Sequence, residues 1–579
     1  MYRGKNTGAN TLNLGGLKFD GVSFTFTNGT LLAPGTFFVL ARNAAAFASK
    51  YPGVTLNGLY SGRLNNNREQ IKLLHPIGAT VLAVTYDDAP PWPATAAAHG
   101  FSLVPKNPAA SQAPDDGSAW RANTNPGGSP GADDPAPNIP PVVINEVLTA
   151  SVPHDVDHIE LFNPTAAPVD IGGWFLSDAA SRPKKFRIAD GTTIPAGGLV
   201  VFDETQFDAT PGTNDSFSLS SHGESLYLFS GDAGTNLTGY SHGLSFEAAD
   251  AGVPFDRHLH SVDEEHFPAQ TATTFNAANA GPRIGPVVIN EIHYNPSAGG
   301  DEFIELVNLT GASVPLYDPA FPTNTWRVDD LDFTFPANLV LPSNAYLLIV
   351  ATNPVSFRAK YSISAGVMIL GPYAGGLQDS GERLKLQRHA PPDTDGPAFI
   401  TVDEVRYNDK APWPAAADGL GLSLQRRVSA SYGDDPVNWE AAGPTPGQSL
   451  ASSDFDGDGL PDAWELANGT DRLVPDASAD PDQDGATNFQ EFLAGTDPQS
   501  AQSYLKIEAS IASAGAVRLQ FNALANRSYT VLYKTSLDAP AWLKLQDIPA
   551  TTDDRTITID DVPASPASRF YRIVTPLQP

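Results

Sequence analysis

Long stretches of this chain recur within it. FTFTNGTLLAPGTFFVLARNAAAFASKYPG from Phe24 returns as FTFPANLVLPSNAYLLIVATNPVSFRAKYS from Phe333, and YSGRLNNNREQIKLL from Tyr60 returns as YAGGLQDSGERLKLQ from Tyr373. YDDAPPWP from Tyr86 answers YNDKAPWP from Tyr407, and each block closes on a tryptophan and a Pro-Gly turn, Trp120 before GGSPG and Trp439 before GPTPG. Matching blocks in one order mean two copies of one domain. A middle copy shares the opposite end of the pattern: VVINEVL at Val142 and HIELFNP at His158 match VVINEIH at Val287 and FIELVNL at Phe303. Its VDIGGWFLSD from Val169 also resembles LNLGGLKFDG from Leu12, which places the first copy's start after the INE and IEL segments. The true amino terminus, with any signal peptide, is therefore expected upstream of Met1.

A repeat of this size must bury its own core, and 579 residues are far too many for one core. Within each copy the runs are short, β-branched or aromatic, and often alternating, as in FFVLAR, YLLIVA and LYLFSG. The 50 Gly and 51 Pro fall between them, as turns between many strands require. The fold class expected is all-β, as tandem sandwiches. One helical turn is predicted at AAAFASKY and at PVSFRAKY, where Phe47 and Tyr51, like Phe357 and Tyr361, stand four apart on one face.

The order INE, FIELxN, a Gly-Gly-Trp strand, a turn ending in Pro, a strand of FFVLAR type and a late APWP segment resembles the lamin tail domain. That family implies an immunoglobulin-like β-sandwich and, in its bacterial tandem form, a secreted setting. It carries no catalytic residues to transfer. The resemblance spans about residues 11–445, with the first copy truncated and the middle copy holding GVPFDRHLHSVDEEHF where an APWP segment would be. The boundaries expected are 1–126, 141–285 and 286–446 for the three copies, with GGSPGADDPAPNIPP from Gly127 supplying a semi-rigid Pro-rich linker over 127–140.

Beyond the copies, DFDGDGLPDAWE from Asp454 fills every place of a twelve-residue calcium loop: Asp454, Asp456, Asp458, Gly459 at the sharp turn, Leu460 through its carbonyl, Asp462 and Glu465. DPDQDGATNFQE repeats it with Asp480, Asp482, Asp484, Gly485, Ala486, Asn488 and Glu491. Hard oxygen donors in this number suit calcium, at two sites. Each loop is followed by a short helix expected to stop at Gly469 or Gly495, and neither is preceded by an amphipathic helix. The pair, over 452–500, thus resembles the repeats of dockerins and thrombospondin type-3 segments more than a helix-loop-helix sensor. The sensor's Met-rich groove is also missing from a chain with 2 Met.

The remainder, 503–579, alternates in VRLQFNAL, SYTVLYKT, TITIDDV and RFYRIVT and reads as a small terminal β-sandwich. The order SYTVLYKTS, AWLKL, SRFYRIV resembles a fibronectin-like module, with Trp542, Phe570 and Tyr571 expected in its core.

Other chemistry is sparse. No nucleophile elbow, zinc-protease helix, phosphate loop or dinucleotide fingerprint occurs. Zero cysteines exclude disulfides and thiolate sites. Seven of 11 His lie in the middle copy, where HLHSVDEEH sets His258, His260 and His266 near Asp263, Glu264 and Glu265. On a strand His258 and His260 would share a face, as a metal site requires; an exposed hairpin edge is the competing reading. Asn145-Glu146 and Asn290-Glu291, with Glu160 and Glu305, invite a carboxylate-pair reading, but recurrence in two copies favours structural pairing. Trp92 and Trp413 could face a ligand, yet flanking prolines favour edge strands packing them inward.

A net charge of −30 opposes nucleic-acid binding, and no apolar run reaches a membrane span. The function expected is non-enzymatic: a secreted or cell-surface structural or adhesive protein whose sandwiches bind or space an extracellular protein or polysaccharide, with calcium stiffening a joint. The alternatives are an accessory region of a larger secreted hydrolase or kinase-like enzyme, or a polysaccharide- or DNA-binding module.

Overall fold

The computed structural model describes residues 1–97, 99–108, 114–149, 156–391, 396–448, 456, 458–472, 474–511, 516–525, 527–539, 541–562 and 569–577. The alternating runs become antiparallel strands in several multi-stranded sheets, consistent with tandem immunoglobulin-like sandwiches.

The third copy is the most complete. One sheet runs Met368–Leu370, Tyr346–Val350, Phe303–Asn308, Val287–His293, Ser423–Arg426, Trp439–Ala442; the other runs Phe333–Thr334, Arg327–Val328, Gly381–His389, Phe399–Asn408. Ile289, Ile304, Leu347, Leu384, Leu386 and Val405, drawn from both sheets, share one buried cluster with Trp326, Trp413 and Trp439. Tyr346–Val350 and Met368–Leu370 are parallel, so the chain between them must cross over, and the predicted turn does this as the helix Pro354–Lys360. Its Phe357 and Tyr361 rings lie 4.5 Å apart. The first copy repeats the device in the helix Ala44–Lys50, with Phe47 and Tyr51 rings 5.0 Å apart. Both helices start on an asparagine cap, Asn43 or Asn353.

The middle copy pairs a sheet Leu199–Asp203, His158–Phe162, Val143–Leu148, Phe255–Asp256 with a sheet Phe186–Arg187, Phe175–Ser177, Gly223–Gly231, Leu237–Glu247. In the first copy, Tyr2–Lys5 pairs with Phe37–Ala41 in the register that Phe303–Asn308 keeps with Tyr346–Val350. This corrects the expectation that the first copy lacks the IEL segment. YRGKN does not look like FIELVN, but Asn6 closes the strand as Asn163 and Asn308 do, each donating Nδ2 to a carbonyl across the sandwich, Leu32, Ile194 or Leu341. Arg3 stands where Glu305 stands in the third copy, and it donates to the Ser129 and Ala132 carbonyls.

Those contacts tie down the linker. Lys5 pairs with Asp133 at 2.7 Å and Arg121 with Asp134 at 2.5 Å, so this part of the Pro-rich stretch is strapped to the first sandwich rather than free. The sandwiches also touch one another: Thr95 Oγ1 donates to the Gly239 carbonyl, Lys385 pairs with Glu247, and Arg388 with Asp250.

The terminal region folds into two three-stranded sheets, Glu508–Ile511, Val517–Ala523, Arg555–Asp561 and Leu543–Ile548, Tyr529–Lys534, Phe570–Val574. Its core is Leu519, Phe521, Tyr529, Val531, Ile548 and Ile559. Trp542, Phe570 and Tyr571, expected there, are half-buried, and of the three Tyr571 packs against this core. Polar partners hold two of them at the rim: Lys534 lies over the Trp542 ring at 5.3 Å, and Tyr571 donates to Asp561 at 2.8 Å.

Candidate metal centres

The two acidic loops fold alike where they are described. Gly459 and Gly485, at the sixth place, take φ of 95° and 96°, a left-handed turn that a side chain would strain. In each loop a backbone N–H reaches back to the aspartate two residues earlier: Asp458 to Asp456 and Leu460 to Asp458, then Asp484 to Asp482 and Ala486 to Asp484. The ninth residue opens a helix, Asp462–Asn468 or Asn488–Ala494, stopped as predicted by Gly469 (φ 72°) and Gly495 (φ 78°). Among the described residues no helix runs directly into either loop, Asp462–Asn468 ending well before Asp480, and no helix-loop-helix is formed there.

Carboxylate oxygens of Asp456, Asp458 and Glu465 lie within 4.8 Å of one another, as do those of Asp480, Asp482 and Asp484. Asp454, the first predicted ligand, lies outside the described residues. Glu491 is not gathered into the second trio. Both of its oxygens, both of Glu465 and the Asn488 Oδ1 are nevertheless buried without a hydrogen-bond donor, which is costly unless a cation supplies the charge. Burial, followed by repulsion from neighbouring aspartates, pushes the Glu465 carboxyl up to about 8, and burial, opposed by the Thr496 hydroxyl and helped by the aspartates of its own loop, pushes Glu491 up to about 7. Such a donor set of hard oxygens fits a divalent cation.

Residues that sequence reasoning passed over join the loops and anchor them. Asp476 donates its N–H to Asp458 at 2.8 Å and takes Asn488 Nδ2 on its carbonyl at 3.0 Å, so the loops share a bridge. Trp464 and Phe492, one from each helix, meet edge to face at 5.4 Å. Arg472 pairs with Glu440 of the third sandwich at 3.1 Å, and Arg527 of the terminal sandwich donates to the Leu493 carbonyl. No local spacing rule announces these arginines.

The histidines sort differently from the expectation. His258 pairs in register with His266 and sets its ring against Tyr432, whereas His260 and His266 come together, rings 4.4 Å apart, beside Glu264. A turn at Asp263 (φ 59°) brings the strands back on themselves and carries His260 round to His266. Glu265 faces the other way, to Arg257 at 2.5 Å and His242 at 3.0 Å. Burial would raise its carboxyl, but His242 and Arg257 outweigh that and hold it down at about 2. Burial, then the Arg406 charge, lowers His266 to about 3.

The repeated Asn-Glu pairs are structural. In both copies a bulge falls at the asparagine, and the two glutamates face each other across the strands, Glu146 to Glu160 and Glu291 to Glu305. Asn145 donates to Glu160 at 2.8 Å and Asn290 to Glu305 at 3.0 Å. Glu146 and Glu291 then clamp the departing chain, through the N–H of Thr274 at 3.0 Å and Thr445 at 3.1 Å. Two residues on, Asn276 and Gly447, both at positive φ, donate to the second glutamate. All four carboxylates are fully buried, which closes them to substrate.

One difference between the copies is testable. Opposite Glu146 stands Asp256, where the third copy has Gln425 opposite Glu291. Burial and then Glu146 push Asp256 up to about 8, against an ordinary 3.8. The folded state therefore holds a proton that the unfolded chain has released, and stability falls as pH rises through that window. Asp256→Asn is expected to remove this slope and to stabilise the middle sandwich by about 1–2 kcal/mol above pH 8. Hydrogen exchange of Val143–Leu148 at acidic and alkaline pH measures it; an unchanged pH slope refutes it.

Trp92 and Trp413 are each 7% exposed and pack on Trp120 at 5.9 Å and Trp439 at 6.1 Å, which leaves neither free as a ligand platform.

Strand order, the bulged Asn-Glu strand and the closing asparagine thus recur from the middle copy to the third. Residues 135–243 and 281–391 match the family model of the Lamin Tail Domain. This is a non-catalytic domain family, and the matched segments cover most of the strands of the second and third sandwiches. The match ends before the His258–His266 hairpin and before the acidic loops. None of the curated proteins matches the chain. Among the described residues no helix is long and apolar enough to cross a membrane.

Proposed function

We propose that this is a non-enzymatic structural or adhesive protein of the cell surface or the extracellular medium, in which tandem lamin tail domains bind or space a protein or polysaccharide partner and calcium stiffens the joint before the terminal sandwich. The arrangement of the acidic loops carries the reading. They stand between two sandwiches, are strapped to one by Arg472 and to the other by Arg527, and hold buried carboxylate oxygens that no donor meets. Asp456, Asp458, Asp462 and Glu465, with the Leu460 carbonyl and Asp454, would hold one ion; Asp480, Asp482, Asp484, Asn488 and Glu491, with the Ala486 carbonyl, would hold the other.

Extracellular sites of this kind bind at about 0.1–1 mM, and a tenfold excess of calcium then adds about 1.4 kcal/mol per site. That is enough to order a linker, and cytosolic calcium would leave such sites empty, which supports an extracellular setting. Calorimetric titration of the full chain is expected to show two calcium ions bound, with one lost in Asp482→Ala and the other in Asp456→Ala. Unaltered uptake in both variants would overturn the assignment.

A further inference from the structure

The hairpin that the family match leaves out holds a second kind of metal site. We propose that His260, Glu264 and His266 bind one zinc-class divalent cation at the junction between the second and third sandwiches.

The three ligand atoms lie within 4.8 Å of one another. His260 Nε2 is 3.3 Å from Glu264 Oε2, and His266 Nε2 is 4.0 Å from the same oxygen. An ion at about 2.0–2.2 Å from three tetrahedral donors needs them roughly 3.3–3.6 Å apart. The first separation already meets this, and a small turn of the Glu264 side chain, 54% exposed, closes the second. The imidazoles cannot drift, because their side chains are only 2% and 6% exposed.

The surroundings orient His266 as metal-bound histidines are oriented. Its Nδ1 lies 3.1 Å from Asp434 Oδ2 and 3.3 Å from the Tyr432 hydroxyl, both of the third sandwich. Asp434 is itself held by the Arg406 N–H at 2.7 Å and Arg406 Nε at 3.1 Å. A proton on Nδ1, directed at the Tyr432 hydroxyl with the Asp434 carboxylate beside it, leaves the Nε2 lone pair toward Glu264, so two acceptors face each other and a cation between them satisfies both. At His260 the Val262 N–H reaches Nδ1 at 3.4 Å, a long contact that ion binding at Nε2 gives up.

Two imidazoles select zinc and its neighbours over calcium, and three protein ligands leave a fourth position for water. The hairpin is also pinned to the third sandwich by the Ser261 N–H on Asp435 at 3.0 Å. Metal at this point locks the hairpin, and through it the angle between the two lamin tail domains.

The test is a zinc titration of the untagged, chelator-stripped full chain in excess calcium, with cobalt as a spectroscopic stand-in. One zinc equivalent is expected, calcium should not displace it, and the cobalt form should show the intense visible bands of a tetrahedral nitrogen-oxygen site. Glu264→Gln, at an exposed side chain that folding does not need, is expected to weaken zinc at least tenfold, and His260→Ala to abolish it. Asp434→Asn, on the neighbouring sandwich, should weaken it by about 10–100-fold, while Asp482→Ala leaves it unchanged. Displacement by calcium, absence of uptake, or undiminished uptake in both Glu264→Gln and His260→Ala overturns the site.

Discussion

Arg426→Ala is expected to destabilise the third sandwich by about 3–5 kcal/mol, the cost of stranding a buried charge. The guanidinium makes four contacts inside the sandwich: Asp403 Oδ2 at 2.8 Å, Asp403 Oδ1 at 3.1 Å, the Ile289 carbonyl at 2.9 Å and the Ser431 carbonyl at 2.7 Å. The side chains of Arg426 and Asp403 are 0% and 5% exposed. Alanine leaves a carboxylate and two carbonyls without their donor, and removes the cation 5.8 Å from the Trp439 ring. Burial already pushes Asp403 up against the pull of Arg426, so in the variant that carboxyl should take a proton. A double variant with Asp403→Asn is expected to recover part of the loss, since no charge is then left buried. Denaturant unfolding, with hydrogen exchange of Val287–His293 as a local probe, measures both. A single-variant cost below about 1 kcal/mol would refute the account.

Glu465→Gln combined with Glu491→Gln is expected to abolish calcium-dependent ordering of the joint. Each glutamate closes its loop as the twelfth residue, and together they bring four buried carboxylate oxygens that meet no donor. Without an ion those carboxyls repel the loop aspartates, so on the proposed reading calcium binding and ordering of the segment should be one event. In calcium, limited proteolysis of the native chain should spare 456–500. After chelation, or in the double variant with calcium present, cleavage there should speed up by tenfold or more, while the sandwiches stay intact. Equal resistance with and without calcium would refute the stiffening role even if calcium binds.

The middle and third copies carry an arginine at the same register, Arg257 and Arg426, yet they pair it differently. In the third copy the Ile289 N–H goes to Asp403. In the middle copy the Ile144 N–H goes to His242 Nδ1, whose Nε2 meets Glu265, which meets Arg257. From the sequence Glu265 reads as one more acidic residue in HLHSVDEEH, and its neighbour Glu264 as its equal. The turn at Asp263 sends one inward to the arginine and the other toward the histidines. Alternation along a strand predicts that adjacent residues face opposite ways, but not which face holds a partner. That local logic pairs His258 with His260, whereas the ring that meets His260 is that of His266 on the returning strand.

The acidic loops were legible because their carboxylates fall within twelve residues and glycine must take the sixth place, so a local pattern was enough to place Asp456, Asp458 and Glu465 together, and Asp480, Asp482 and Asp484, though not to bring Glu491 into the second trio. The copies and their all-β character were legible for the same reason: a period of two and recurring turn residues are properties of short segments. The first strand, Tyr2–Lys5, was missed because its identity rests on register with Phe37–Ala41 and on the bonds of Asn6, not on its own residue types. Tertiary structure alone decided the glutamate clamps on Thr274 and Thr445, the Arg426–Asp403 pair, the arginine straps on the joint, and the meeting of His260 and His266 with Asp434. Those partners stand far apart along the chain, or on opposite sides of a turn whose direction packing sets. Only the folded backbone brings them within bonding distance.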